Sequence, residues 1–245
     1  MSMAPTTPLP APSSTVLAII RTLVWMPFFY LGTALLVGLA GLFAYVWRDG
    51  FFGAVRLWAR WHRGCARWIL GQRLVIEGDI PLGPVLFLFK HESAYETIDM
   101  PLLLVRPVVF AKQELFSIPV WGPLAKRYGL IPIERSAGAS AMRTMRAAGL
   151  AAIAAGRPLV LCPEGTRVPH GEAPPLRAGF AGLYKLLRLP VVPVALDSGR
   201  IASGRSWIKR PGTITYRVLP AIPPGLPRGE AEQLVHAAIN ALNRA

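Results

Sequence analysis

The apolar positions are distributed differently in successive parts of the chain. From Thr22 to Trp47 no residue is charged, and as a helix this run would be roughly 39 Å long against a hydrocarbon core of about 30 Å. Pro27, Gly32, Gly38 and Gly41 punctuate it, so the pattern fits a spanning helix or a helical hairpin that enters one leaflet. The run is longer than a signal-peptide core and has no charged n-region. Next, Arg56, Arg60, Arg63 and Arg67 fall on one helical stripe, with Leu57, Trp58, Trp61, Cys65, Trp68 and Ile69 opposite. That is the pattern of a helix lying at a lipid surface, tryptophans at the headgroup boundary and arginines toward phosphates.

From Arg73 onward, short apolar runs alternate with helical patterns. Strands are predicted at Leu74 to Glu77, Val85 to Phe89, Val108 to Ala111, Leu130 to Ile133, Leu159 to Cys162, Val191 to Ala195 and Ile214 to Leu219. Helices are predicted at Ala94 to Val105, Val120 to Tyr128, Ala139 to Ala155, Ala178 to Arg188 and Gly229 to Asn243. The alternation predicts an α/β fold, a mostly parallel central sheet covered by helices, behind an N-terminal membrane-anchoring helix or helical hairpin. The expected organisation is a Pro/Thr/Ser-rich disordered leader over 1–14, anchoring and interfacial helices over 15–72, and one α/β domain over 73–245.

Charge sharpens this picture. The 27 basic residues against 13 acidic ones give +14, which favours anionic partners. The arginines from Arg48 onward place the domain on the cytoplasmic side by the positive-inside rule. No aromatic-basic stacking segment or helix-turn-helix pattern supports nucleic-acid binding. Cys65 and Cys162 have no paired spacing, and the four histidines form no zinc pattern, so the expected chemistry is metal-free.

The chemistry concentrates where predicted strands end. Val85 to Phe89 runs into Lys90, His91, Glu92, Ser93, Ala94, Tyr95 and Glu96. On one continuous helix His91 and Glu96 would stand about 140° apart. If Ser93 caps the helix with Glu96 at its third position, the Ser-x-x-Glu box folds the carboxylate back toward the imidazole, where it fixes the tautomer of a general base. Asp99 is the second-ranked carboxylate. Two further predicted strands, taken as neighbours, end in Glu134-Arg135 and in Pro163-Glu164-Gly165-Thr166-Arg167. Arg135 and Arg167 are expected to clamp a phosphate, with Glu164, Gly165 and Thr166 shaping the loop.

His91 to Glu96, Gly129 to Arg135 (GLIPIER), Cys162 to Arg167 (CPEGTR) and Val191 to Ala195 (VVPVA) together resemble the four ordered motifs of the glycerolipid acyltransferase family. The likeness covers roughly 90–198, including 111–122 (AKQELFSIPVWG). Departures are Glu96 for the family's usual aspartate, Lys90 for a common asparagine, Glu134 for a common aspartate and Cys162 for an aromatic. The resemblance implies acyl transfer from acyl-CoA or acyl carrier protein to lysophosphatidic acid or a related lysolipid, with no cofactor beyond the donor. The apolar N-terminal run and the arginines that follow it set the chain among membrane lipids, with the cytoplasmic side of the bacterial inner membrane as the expected location. Glycerol 3-phosphate or a lyso-aminolipid are alternative acceptors; a thioesterase or a basic membrane-surface adaptor are the more distant alternatives.

Overall fold

A computed structural model of the chain describes residues 15–134 and 138–243. Its centre is a seven-stranded sheet with strands β1 (Gln72–Glu77), β2 (Leu86–Phe89), β3 (Val108–Lys112), β4 (Ile131–Ile133), β5 (Leu159–Leu161), β6 (Val191–Leu196) and β7 (Gly212–Val218). The spatial order is β1-β7-β6-β2-β5-β3-β4. Every pairing is parallel except β6 with β7, so the sheet is mostly parallel, as the alternating pattern predicts. All seven predicted strands form.

β2 lies centrally and is buried on both faces, which is why Leu86-Phe87-Leu88-Phe89 is continuously apolar. Leu86 and Leu88 pack with Phe180, Leu183, Val235 and Ile239, on the side covered by helices α5 (Gly138–Ala154), α6 (Ala178–Leu187) and α8 (Arg228–Ile239). Phe87 and Phe89 pack on the other side with Tyr95 and Met100 of α3 (Tyr95–Leu103) and with Tyr216 of β7. Continuing the alternation past Phe89 sends Lys90 toward α8 and His91 toward α3. The rest of the fold is α4 (Trp121–Tyr128), a 3₁₀ segment at Gln113–Ser117 and a short α7 (Gly199–Ala202).

The N-terminal region forms a helical hairpin. The 32-residue α1 (Thr15–Val46) is long and apolar enough to cross a membrane. The extended backbone of Trp47 breaks it before α2 (Arg48–Cys65), which continues into a π turn at Ala66–Leu70. The two helices are antiparallel: Trp58 Nε1 donates to Thr33 Oγ1 (3.1 Å), and farther down Trp61 Nε1 donates to the Phe28 carbonyl (3.2 Å). Gly32 is required there, because an added Cβ would fall on the Trp61 indole. Ile20, Leu23, Phe28, Leu31, Leu35 and Leu42 stay exposed along α1.

This arrangement corrects one detail of the interfacial-helix expectation. Trp58 and Trp61 serve the seam with α1, and α2 is held between α1 and α3 instead of lying free on a surface. Arg63 is no open phosphate ligand either: its Nε and Nη2 donate to both oxygens of Asp99 on α3 (2.8 and 2.7 Å).

Candidate active site

The carboxyl ends of β6, β2 and β5 lie side by side, and each delivers a turn to one spot, the usual place for a site in a parallel sheet. His91 leaves β2 just beyond its last paired residue. Its Nδ1 lies 2.9 Å from Glu96 Oε1, and its side chain keeps 15% exposure while its partner is fully buried.

Glu96 is held from five directions. Oε1 accepts from His91 Nδ1 and from the backbone N–H groups of Glu92 (2.8 Å) and Ser93 (2.7 Å). Oε2 accepts from the hydroxyls of Ser93 (2.6 Å) and Ser198 (2.8 Å). Burial alone pushes this carboxyl up, but the bonds from His91 and Ser93 outweigh it and hold it below its ordinary value. An ionised carboxylate only accepts, so His91 Nδ1 is the donor, and in the neutral ring Nε2 is the nitrogen that carries the lone pair. The reach-back from Glu96 to the Ser93 N–H is the one expected of the capping box. Ser93 Oγ differs in detail, accepting from the N–H of Tyr95 (3.0 Å) instead of that of Glu96.

Asp99, the second-ranked carboxylate, is bound to Arg63, one turn away from the imidazole. Burial raises its carboxyl despite that pairing, and the nearby Glu96 charge adds to the rise.

The loop after β5 is stitched to the histidine turn. Val168 donates to the His91 carbonyl (2.7 Å), which puts Arg167 one residue from the backbone of the base. The turn begins with Gly165 donating to the Cys162 carbonyl, and Gly165 has φ 73°, a left-handed value that favours glycine. Thr166 and Arg167 are exposed. The Arg167 stem lies over Gly204, next to the Glu92 carbonyl.

Glu164, expected to shape the substrate-binding loop, points inward. It is 2% exposed, and its oxygens take Lys90 Nζ (2.9 Å) and the His91 N–H (3.1 Å). Lys90 is itself fully buried and also donates to the Glu172 carbonyl and Asn240 Oδ1, both at 2.6 Å. Glu164 therefore braces the loops from beneath. Arg135 lies outside the described residues. β4, which leads to it, ends at the same sheet edge but is separated from β5 by β3, so the two arginine-bearing strands are not neighbours as expected.

Three participants escaped the sequence reading. Ser198 and Gly199 follow β6, directly after the VVPVA motif; asking what that motif's strand delivers would have found them. The third is His170, whose Nδ1 contacts Glu92 Oε1 and Oε2 (3.1 and 3.3 Å) while Gly199 N–H donates to Oε2 (2.7 Å). Burial raises the Glu92 carboxyl above its ordinary value, with His170 and Gly199 pulling the other way. Two imidazoles thus stand at this edge, each with Nδ1 against a buried carboxylate. The Cys162 thiol is pushed up by burial and by the charges of Glu96 and Glu164, so it is no nucleophile here.

A carboxylate-backed imidazole beside an arginine-bearing glycine turn can act as a general base next to a loop able to take an anion. The chain belongs to the acyltransferase family, whose model matches residues 73–197, more than half of its length. Over 170 residues it is 30% identical to a 1-acyl-sn-glycerol-3-phosphate acyltransferase of Pseudomonas aeruginosa, covering 69% of this chain and 66% of that one. It is 28% identical to the enzyme of the same name from Cocos nucifera, covering 61% of this chain and 50% of the relative. The chain thus spans less than two thirds of either relative. Its fold is similar to that of the 1-acyl-sn-glycerophosphate (LPA) acyltransferase PlsC from Thermotoga maritima, with a TM-score of 0.71 at 18% identity over 93% of this chain and 98% of that one.

Proposed function

We propose that the chain is a 1-acyl-sn-glycerol-3-phosphate O-acyltransferase, transferring an acyl group from a thioester to the sn-2 hydroxyl of lysophosphatidic acid to give phosphatidic acid. The observation that carries this is the His91–Glu96 pair with its Nε2 side open, one hydrogen bond from the Thr166-Arg167 turn. His91 Nε2 takes the hydroxyl proton as the oxygen attacks the thioester carbonyl. The C–O bond forms, the C–S bond breaks, and the imidazolium returns its proton to the leaving thiolate. Glu96 holds the ring throughout and stabilises its charged form. Arg167, joined by Arg135, binds the acceptor phosphate and aims the hydroxyl, while Gly165 and Thr166 keep the backbone close. The reaction needs no metal or cofactor besides the donor.

The apolar face of α1 supports a membrane location, and the arginines from Arg48 onward support a cytoplasmic site, at the inner membrane of a bacterium. The test is an acceptor panel offered to detergent-solubilised protein with one long-chain acyl-CoA. Lysophosphatidic acid should give phosphatidic acid, and His91→Ala should slow it about 10²- to 10⁴-fold, the range of general-base catalysis. Failure of the wild type to acylate any acceptor, or an undiminished rate in the variant, overturns the proposal. Hydrolysis of the thioester that survives Arg167→Ala would mark a thioesterase instead.

A further inference from the structure

Arg56, Arg60 and Arg63 of α2 and Arg67 of the π turn that continues it line a cavity of about 340 Å³ with Gly64 and with Leu102 of α3. Among the described residues no carboxylate lines it. Asp99, the acid paired with Arg63, is fully buried and spends both oxygens on it. Arg56, Arg60 and Arg67 form no ion pair among the described residues. Guanidinium groups gathered without a counter-charge repel one another, and a phosphate relieves that repulsion while accepting their forked donors.

The row has a direction. His62 packs on Tyr95 with ring centroids 4.9 Å apart, Arg63 binds Asp99, and Arg106 beyond α3 lies 4.4 Å over the Phe52 ring. Helices α2 and α3 are therefore antiparallel. Arg67 lies toward the end of α3 that carries Glu96 and follows His91, and Arg56 toward the far end. From one to the other is roughly 16 Å at about 1.5 Å per residue. Along α3 the half-exposed positions Ala94, Ile98 and Leu102 share one stripe, leading from the His91 turn to this cavity.

The row also has a side. Trp58 and Trp61 turn toward α1, while the arginines turn toward α3, so the body of α2 separates them from the apolar face of α1. A ligand that arrives from water meets them more directly than a headgroup in contact with α1.

We propose that this arginine row is the phosphate site for the acyl donor, a nucleotide-linked thioester of the coenzyme A type. Such a donor carries its phosphates at the far end of a long flexible arm from the sulfur. Anchoring them along α3 places the thioester carbonyl at His91. The proposal rests on the acyltransferase reading above and adds the donor's chemistry to it.

The test uses the full chain in neutral detergent, with palmitoyl-CoA and with S-palmitoyl-pantetheine, the same thioester without phosphates. The variant is the triple Arg56→Gln, Arg60→Gln, Arg67→Gln; Arg63 stays, because it holds Asp99. Losing even one charged hydrogen bond should raise the KM for palmitoyl-CoA about tenfold or more. The kcat, the acceptor KM and the kinetics with S-palmitoyl-pantetheine should stay at wild-type values. The triple lysine variant, which keeps charge without the fork, should fall between. An equal loss with both donors, or an unchanged palmitoyl-CoA KM, overturns the proposal. So does weaker binding to phosphatidylglycerol vesicles as the sole effect, which would assign the row to lipid headgroups. Calorimetric titration with free coenzyme A separates this idea from the reading beneath it: if no acyl ester forms with either donor, weaker binding by the triple variant still supports the site and equal binding removes it.

Discussion

At the scale of single residues, the Glu96 carboxylate is set by donors from three sources. Its own helix start gives the N–H groups of Glu92 and Ser93, the central strand's end gives His91, and β6 gives Ser198. Glu96→Gln keeps the shape but replaces one acceptor oxygen with an amide that points hydrogens at existing donors. It should lower kcat about 10²-fold or more, since the imidazolium loses its counter-charge. Ser198→Ala removes one bond of the five. It should lower kcat about tenfold, as expected for a hydrogen bond to a charged group, with the acceptor KM unchanged. A change confined to KM would mean that Ser198 touches substrate. His91 and Glu96 were legible because strand end, capping box and motif all fall within six residues. How Glu164 shapes its loop was not legible, because its type and motif position look the same whether the carboxylate faces substrate or a buried lysine. That lysine, Lys90, lies 74 residues earlier in the chain. Lys90→Met leaves Glu164 without its cation and should cost about 3–5 kcal/mol in unfolding free energy. Adding Glu164→Gln should recover part of this, which paired denaturation curves would show.

Among elements, the central question is what α2 does for α3. The helical wheel separated the arginines from the tryptophans correctly, because that depends only on spacing along one helix. It could not show which stripe faces another element. The Arg63–Asp99 pair ties the N-terminal hairpin to the helix that carries Glu96, one turn from that carboxylate. Arg63→Gln orphans a buried aspartate. The expected cost is about 3 kcal/mol, the lower end for such a broken pair, because Arg63 is itself partly in water. Asp99→Asn added to it should restore much of the loss by removing the stranded charge. If the single variant melts with the wild type, the hairpin is not braced through this contact. Strand positions were readable because buried central strands are short, β-branched or aromatic, and apolar throughout. Strand order was not: the insertion of β3 between β5 and β4 is set by long-range pairing that spacing along the chain does not encode.

For the molecule as a whole, the interface between the hairpin and the domain contains a titration point. His62 of α2 is buried between the rings of Phe29 on α1 and Tyr95 on α3. Burial foremost, then the charge of Arg63, lowers its pKa from 6.5 to about 4, with Glu96 pulling weakly the other way. Between those values the unfolded chain binds the proton and the folded one does not. Stability is therefore complete above pH 6.5 and falls as the pH drops toward 4. The loss across that window is roughly 3 kcal/mol, at about 1.4 kcal/mol per pH unit. Melting curves of wild type and His62→Phe between pH 7 and 4.5 would isolate this contribution, because the phenyl ring fills similar space and takes no proton. The variant should lose less stability on acidification, and what remains should follow carboxylates such as Glu96, whose depressed value makes its own contribution disappear at lower pH. Since His62 joins α2 to α1 and α3, its protonation should loosen the seam between hairpin and domain while leaving the sheet intact. Hydrogen exchange at pH 5 should then open α2 and the start of α3 before β2 and β6, and simultaneous opening of the sheet would contradict that order.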